Sequence, residues 1–298
     1  MWLVVALLLR IPLGLDLYMP VPEDNPITSE KVELGRRLFQ DRRLSRDGRV
    51  ACMSCHDPRR AFSTPHAQAV GVFNRKSRRN APALINRGWG RAFFWDGRIQ
   101  TLEEQVLKPI QDPNEMDLTL AEVERRLGLE TATISRALAS YVRSVLSGDA
   151  PYDRFINGDR AALTQEQQRG LQIFRGTGNC TACHVGPTFS DERLHNTGVA
   201  WRDSSGVFMD PGGFGVTNRP EDRGAFKTPT LREVARTSPY MHDGSFRTLD
   251  EVVDFYSEGG RRNPAQDPEI RPLRLTATDK RALVAFLKSL SGTVREGN

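Results

Sequence analysis

The sequence predicts an all-α chain built from two similar small domains, each with long irregular loops. Three observations predict it. A five-residue cysteine and histidine motif occurs twice, a Gly-x-x-x-Phe segment precedes each copy, and a helical pattern follows each. At 298 residues the chain is long enough for about two domains with separate cores. Along the chain the expected parts are a signal-like or anchor segment at 1–25, a first domain at 26–148, a linker at 149–162 and a second domain at 163–298.

The opening segment rests on the apolar run Trp2 to Leu9, broken by Arg10 and Pro12, which reads as a signal-peptide core without the usual basic start or as an uncleaved anchor. The alternative is an ordinary buried N-terminus. Further on, no apolar run is long enough to span a bilayer, so the membrane enters only through the N-terminus. In the first domain Gly35 to Phe39 forms the leading helix. Its closing helix is Ile134, Leu138, Tyr141, Val142 and Val145 at three-to-four spacing, ending at Gly148. The second domain leads with Gly170 to Phe174, opened by a Thr164 and Gln167 capping box and stopped near Gly176. It closes with Leu283, Phe286, Leu287 and Leu290, opened by Thr276 and Asp279 and ended by Gly292.

Chemistry enters through the cysteines. All four lie in Cys52-Met53-Ser54-Cys55-His56 and Cys180-Thr181-Ala182-Cys183-His184. Two thiols on one helical turn can add to the two vinyl groups of a haem while the adjacent His reaches its iron, which gives every fixed position a task. A zinc site from the two Cys pairs, or two structural disulfides, would explain the cysteines but not a His after each pair. Two covalently bound haem c groups are therefore expected, with His56 and His184 as proximal iron ligands. Bacterial haem attachment takes place outside the cytoplasm, so the expected location is the periplasm.

Net charge is +5, yet fourteen Lys or Arg residues stand between Arg36 and Arg91 against Asp41, Asp47 and Asp57. No aromatic residues interleave with them in a stacking pattern, which argues against nucleic acid. An acidic protein partner, haem propionates or a solvated face accounts for such a run.

Four further segments carry a family resemblance: Arg79-Asn80-Ala81-Pro82, Phe94-Trp95-Asp96-Gly97-Arg98, Thr228-Pro229-Thr230-Leu231-Arg232 and Pro239-Tyr240-Met241-His242-Asp243-Gly244. With the haem motifs they make residues 20–292 resemble the bacterial dihaem cytochrome c peroxidases, and within them the MauG-like branch. The resemblance implies hydrogen peroxide as oxidant and an unidentified protein or small molecule as electron donor. It places Trp95 between the haems and makes Gln105 and Glu115 the distal pair, where a carboxylate shuttles the peroxide proton and an amide orients the oxidant. Val72 falls where typical members carry a His that blocks the first haem, and His66 on the same loop is the available substitute. Tyr256 falls where electron-transferring members carry a Met and MauG-like members a Tyr, so it is the expected sixth ligand of the second haem, with Met241 and Met209 competing. One calcium ion is implied at Asn80, Thr237 and Pro239. The relative that matures an amine dehydrogenase carries a Trp where this chain has Gly178, and Trp201 is the alternative surface exit for charge. An ordinary cytochrome c peroxidase fed by a small redox protein and a non-catalytic dihaem electron carrier are the competing functions.

Overall fold

The computed structural model describes residues 9–297. The apolar segment Trp2 to Leu9 therefore lies outside the described residues except for its last member. Among the described residues six helices have eight residues or more: α1 Ser29–Gln40, α2 Leu120–Leu127, α3 Thr131–Ser144, α4 Gln165–Arg175, α5 Leu249–Ser257 and α6 Ala277–Lys288. Among the described residues no helix is long and apolar enough to cross a membrane.

Each domain is organised by one close helix crossing. In the first, α1 meets α3 at Gly35, where a Cβ would overlap the carbonyl oxygen of Ala137. In the second, α4 meets α6 at Gly170, where a Cβ would overlap the carbonyl oxygen of Ala282. The glycines are there for room, since both sit inside helices. One turn later the same rings meet: Phe39 and Tyr141 centroids are 5.1 Å apart at 57°, and Phe174 and Phe286 are 5.1 Å apart at 57°. Leu38, Ile134 and Leu138 fill the first core, and Leu171, Leu283 and Leu287 the second. Gly170→Ala is expected to cost about 1–3 kcal/mol through overpacking, measured as a lower denaturant midpoint at unchanged slope.

The expected capping boxes form, with Gln167 N donating to Thr164 Oγ1 at 3.2 Å and Asp279 N to Thr276 Oγ1 at 3.2 Å. The closing helices are shorter than the periodicity predicts. Helix α3 stops at Ser144 and α6 at Lys288, because the chain then turns extended to form β1 (Leu146–Gly148) and, at the C-terminus, β6 (Thr293–Arg295). These two pair antiparallel, Ser147 opposite Val294. The fold is thus helical without being strictly all-α. The remaining strands, β2 Leu194–His195 with β5 Phe226–Lys227 and β3 Trp201–Arg202 with β4 Val207–Phe208, are two residues long.

Two expected boundaries fall inside packed structure. Leu15 and Met19 join the first core, and the amide of Leu13 donates to the Asp149 carboxylate at 2.9 Å. Residues 9–25 are therefore part of the domain surface they cover. The 149–162 segment contains a short helix, Pro151–Ile156, whose Asp153 is buried against Arg232 at 2.6 Å.

Between leading and closing helices the two domains repeat one loop at a constant offset. Pro82 and Leu84 match Pro229 and Leu231; Asn86 and Glu233 both have left-handed backbone, φ 56° and 60°. The turns Arg87–Trp89 and Val234–Arg236 follow, and then the bridges Phe93 to Ile99 and Tyr240 to Phe246. In this register Asn80 corresponds to Lys227 and Trp95 to His242. The amide of Asn80 donates to the His242 carbonyl at 2.7 Å and that of Lys227 to the Trp95 carbonyl at 2.7 Å. Each domain's loop therefore bonds the other's by the same pair, an approximate two-fold relation.

Candidate active site

Cys52–Cys55 forms a single helical turn and Cys180–Ala182 a tighter one, so each motif folds back and directs its His inward. His56 Nδ1 lies 3.1 Å from the Phe62 carbonyl and His184 Nδ1 lies 2.8 Å from the Phe189 carbonyl. A carbonyl only accepts, so Nδ1 carries the proton in both rings and Nε2 is the free base, as an iron ligand requires. Burial also keeps both imidazoles neutral, pushing His56 down to about 4 and His184 below its ordinary value. All four cysteines are free, which removes the disulfide alternative. Among the described residues the one cluster with metal-ligand spacing is Cys183, Asp191 and His195, so no site joins the two Cys pairs.

Both motifs open into one chamber between the domains, of about 3150 Å³ including space open to solvent. Cys52, Cys55 and His56 line one part and Cys180, Cys183 and His184 another, with Trp95 on the wall between the two domains. The donor sets, two thiols and one neutral imidazole on each motif, fit two covalently held haems. On denaturation and acid-acetone extraction, two haems per chain are expected to stay with the protein. Their release would remove the thioether assignment.

Trp95 is fixed at both ends. Its Nε1 donates to the Asn80 carbonyl at 2.8 Å, and its own carbonyl accepts from Lys227. The loop that carries it is held across the interface by Arg79, which pairs with Asp96 at 2.7 Å and with Asp210 at 2.8 Å. Gln105 ends a short helix capped by Thr101, and Glu115 sits in the turn organised by Asp112, whose carbonyl accepts the Glu115 amide at 3.0 Å. Both side chains line the chamber. Burial pushes the Glu115 carboxyl up to about 7; the Asp112 charge adds to this and Arg98 opposes it. A group so tuned can both take and return a proton near neutral pH.

His66 is exposed and lies outside the chamber lining, as does Val72, which is fully buried. His66 contributes its carbonyl instead, accepting from Asn80 Nδ2 at 2.9 Å. Tyr256, on α5, lines the chamber, and burial followed by the nearby Cys183 and Cys180 raises its hydroxyl well above the ordinary phenol range. Met241 also reaches the lining, whereas Met209 is 58% exposed. Trp201 stands half-exposed and donates to Asp203 at 2.7 Å. Gly178 has little room: a Cβ there would lie 2.8 Å from the Ile173 carbonyl.

Asn80, Thr237 and Pro239 all line the chamber. With Nδ2 of Asn80 committed to His66, its Oδ1 is turned elsewhere, and the Thr237 and Pro239 carbonyls accept no hydrogen bond among the described residues. Three such oxygens fit a hard cation with water in its shell. At the position that the internal repeat relates to Pro239, the Ala92 carbonyl is instead capped by Arg87 Nη2 at 2.9 Å. Arg87 in turn pairs with Glu192 at 2.8 Å, and Lys227 with Glu192 at 3.4 Å.

Sequence reasoning gave His242 no role and missed the Arg87, Glu192, Lys227 cluster. His242 is 5% exposed, stacks on Phe226 at 3.6 Å and 12°, and lines the chamber opposite in register to Trp95. The signal was present in Trp95-Asp96-Gly97 against His242-Asp243-Gly244, a repeat masked by the change of ring.

Two haem-binding domains facing one chamber, with an amide and a tuned carboxyl inside it, define a two-haem c-type redox enzyme. Residues 29–161 match the model of the di-haem cytochrome c peroxidases. The methylamine utilization protein MauG of Methylorubrum extorquens is 38% identical over 290 residues, covering 91% of this chain and 81% of that protein. The cytochrome c551 peroxidase of Pseudomonas aeruginosa is 31% identical over 303 residues, covering 93% and 84%. Among solved structures, a MauG-like protein associated with microbial copper homeostasis superposes with a TM-score of 0.85 at 37% identity, covering 95% of this chain and 93% of that one. The diheme peroxidase BthA of Burkholderia thailandensis gives 0.75 at 26% identity, covering 90% and 87%. The chain belongs to the di-haem cytochrome c peroxidase family and is a dihaem peroxidase.

Proposed function

We propose a MauG-like peroxidase whose first haem, on His56, meets peroxide directly and whose second haem, on His184, takes Tyr256 as its sixth ligand. One observation carries the reading: Gln105 and Glu115 face the chamber while His66, the side chain that could close the first haem, stands outside it. When bound, the haems supply irons that pass two electrons from the donor to peroxide. The chain's own part is proton management. Glu115 takes the proton from one peroxide oxygen and delivers it to the other as the O–O bond breaks, and Gln105 orients the oxidant through its amide. Trp95 gives charge a route between the domains. Tyr256 supplies a hard anionic oxygen, which lowers the potential of the iron it binds, where a thioether would raise it.

Asn80, Thr237 and Pro239 hold one calcium ion in this reading, a removable counterpart to the tethered Arg87 guanidinium across the interface. The donor is a small molecule or a protein at the surface, and the arginine-rich stretch between Arg36 and Arg91 favours an acidic one. Location is the periplasm, where haem is attached. The resting ferric protein is expected to give one high-spin and one low-spin resonance signal without prior reduction. Two low-spin signals would replace this reading by an electron carrier or by a peroxidase that must first be reduced.

A further inference from the structure

Residues 69–77 form a tight hairpin beside the turn that carries Glu115. Val70 bridges Lys76, and the amides of Gly71 and Ser77 donate to the carbonyls of Arg75 at 2.8 Å and Ala69 at 2.9 Å. Its tip is fixed from outside, where Phe73 N donates to Asp47 Oδ2 at 3.1 Å. Three ties then run from the hairpin to the Glu115 turn. The Val72 amide donates to the Glu115 carbonyl at 2.8 Å. Arg75 Nη1 donates to the Pro113 carbonyl at 2.8 Å and pairs with the Asp117 carboxylate at 3.3 Å.

Gly71 sets the closeness of this contact. A Cβ there would overlap the carbonyl oxygens of both Asn114 and Glu115. Its φ of −97° is open to any residue, so glycine is needed for room and not for conformation. The Glu115 carboxyl sits where burial disfavours its charged form, and a free turn would relieve that by swinging the group into water. The hairpin holds the turn at the residues on both sides of Glu115 and at Glu115 itself.

We propose that Gly71 and Val72 are positioning residues for the peroxide reaction, bracing the Glu115 turn so that its carboxyl faces the chamber before any electron arrives. The proposal rests on Glu115 as the proton-transfer group. In the overall step one O–O bond breaks and two O–H bonds form: one peroxide, two electrons from the donor and two protons give two waters. Glu115 relays one proton between the two oxygens and ends as it began, and the brace only fixes where that relay stands.

Gly71→Ala tests this. Haem content and the ferric resonance spectrum should be retained, while turnover falls by about ten- to a hundred-fold, the scale of a 1 Å misplacement. The loss should appear in kcat more than in KM, and the pH limb set by Glu115, with Asp112 and Arg98 as its charged neighbours, should move to lower pH as the carboxyl gains water. Arg75→Ala, at an exposed residue, should act in the same direction more weakly and carries the test if Gly71→Ala does not fold. The decisive measurement puts either change into a Glu115→Gln background. A brace acting through Glu115 adds no further loss there. Losses that multiply overturn the proposal and leave the role of Glu115 standing, as does a folded Gly71→Ala with unchanged turnover. If Glu115→Gln alone leaves turnover unchanged, the proton-transfer reading fails and the brace falls with it.

Discussion

Glu115→Gln is expected to keep both haems attached and to lower peroxide-driven turnover by about two to four decades, the range of a positioned acid-base group. The amide keeps size and hydrogen bonding but cannot take a proton. In the unaltered protein the carboxyl, raised to about 7 by burial and by the Asp112 charge against Arg98, must be deprotonated to act as the base. Turnover should therefore rise as pH increases through about 7, and the substitution should flatten that limb. Stopped-flow rates across pH 5 to 9 on both proteins decide the matter. Equal rates would return Glu115 to a structural role and leave Gln105 without a partner.

Tyr256→Phe is expected to abolish the low-spin ferric signal of the second haem while haem content stays at two. Phe keeps the packing of α5 and removes only the oxygen. The bulk of the side chain already lies in the chamber beside Cys180 and Cys183, so the loss should be chemical and local. The long-lived product of peroxide treatment should disappear with it, since the anionic oxygen that lowers the potential is gone. A low-spin signal that survives would point to Met241 or to a spare His on the chamber wall as the ligand. In that case the second haem is an electron acceptor, and a small redox protein becomes the fitting donor.

What the sequence disclosed was local in nature. Cys-x-x-Cys-His is read from spacing because its chemistry is confined to one turn, and the glycines at 35 and 170 are read because a helix crossing repeats its own signature. Capping boxes at Thr164 and Thr276 are equally local. The ends of α3 and α6 were misplaced because Val145 and Leu290 continue the apolar period, while what halts the helices is a strand pairing between residues far apart in sequence. Tertiary pairing overrode a periodic pattern. The packing of Leu15 and Met19 was hidden for a related reason, since an apolar stretch near an N-terminus reads alike as leader or as core. The roles of His242, Arg87, Glu192 and Lys227 escaped notice because they depend on which residue of the other domain each one faces. Asn80, by contrast, was legible only through the family resemblance, since spacing alone gives a lone Asn no task.

The pairing of β1 with β6 bears on how the chain holds together. Strand β1 ends the first domain, and its partner Thr293–Arg295 follows the closing helix of the second. Glu296, just beyond, accepts a hydrogen bond from the Tyr141 hydroxyl in the first core. The edge of the first domain is therefore closed by residues that lie beyond the second domain in sequence. Assembly is thus a clasp, in which the tail fastens the head. A first domain severed after Gly148 would leave the β1 edge unpaired and the Tyr141 hydroxyl without its acceptor.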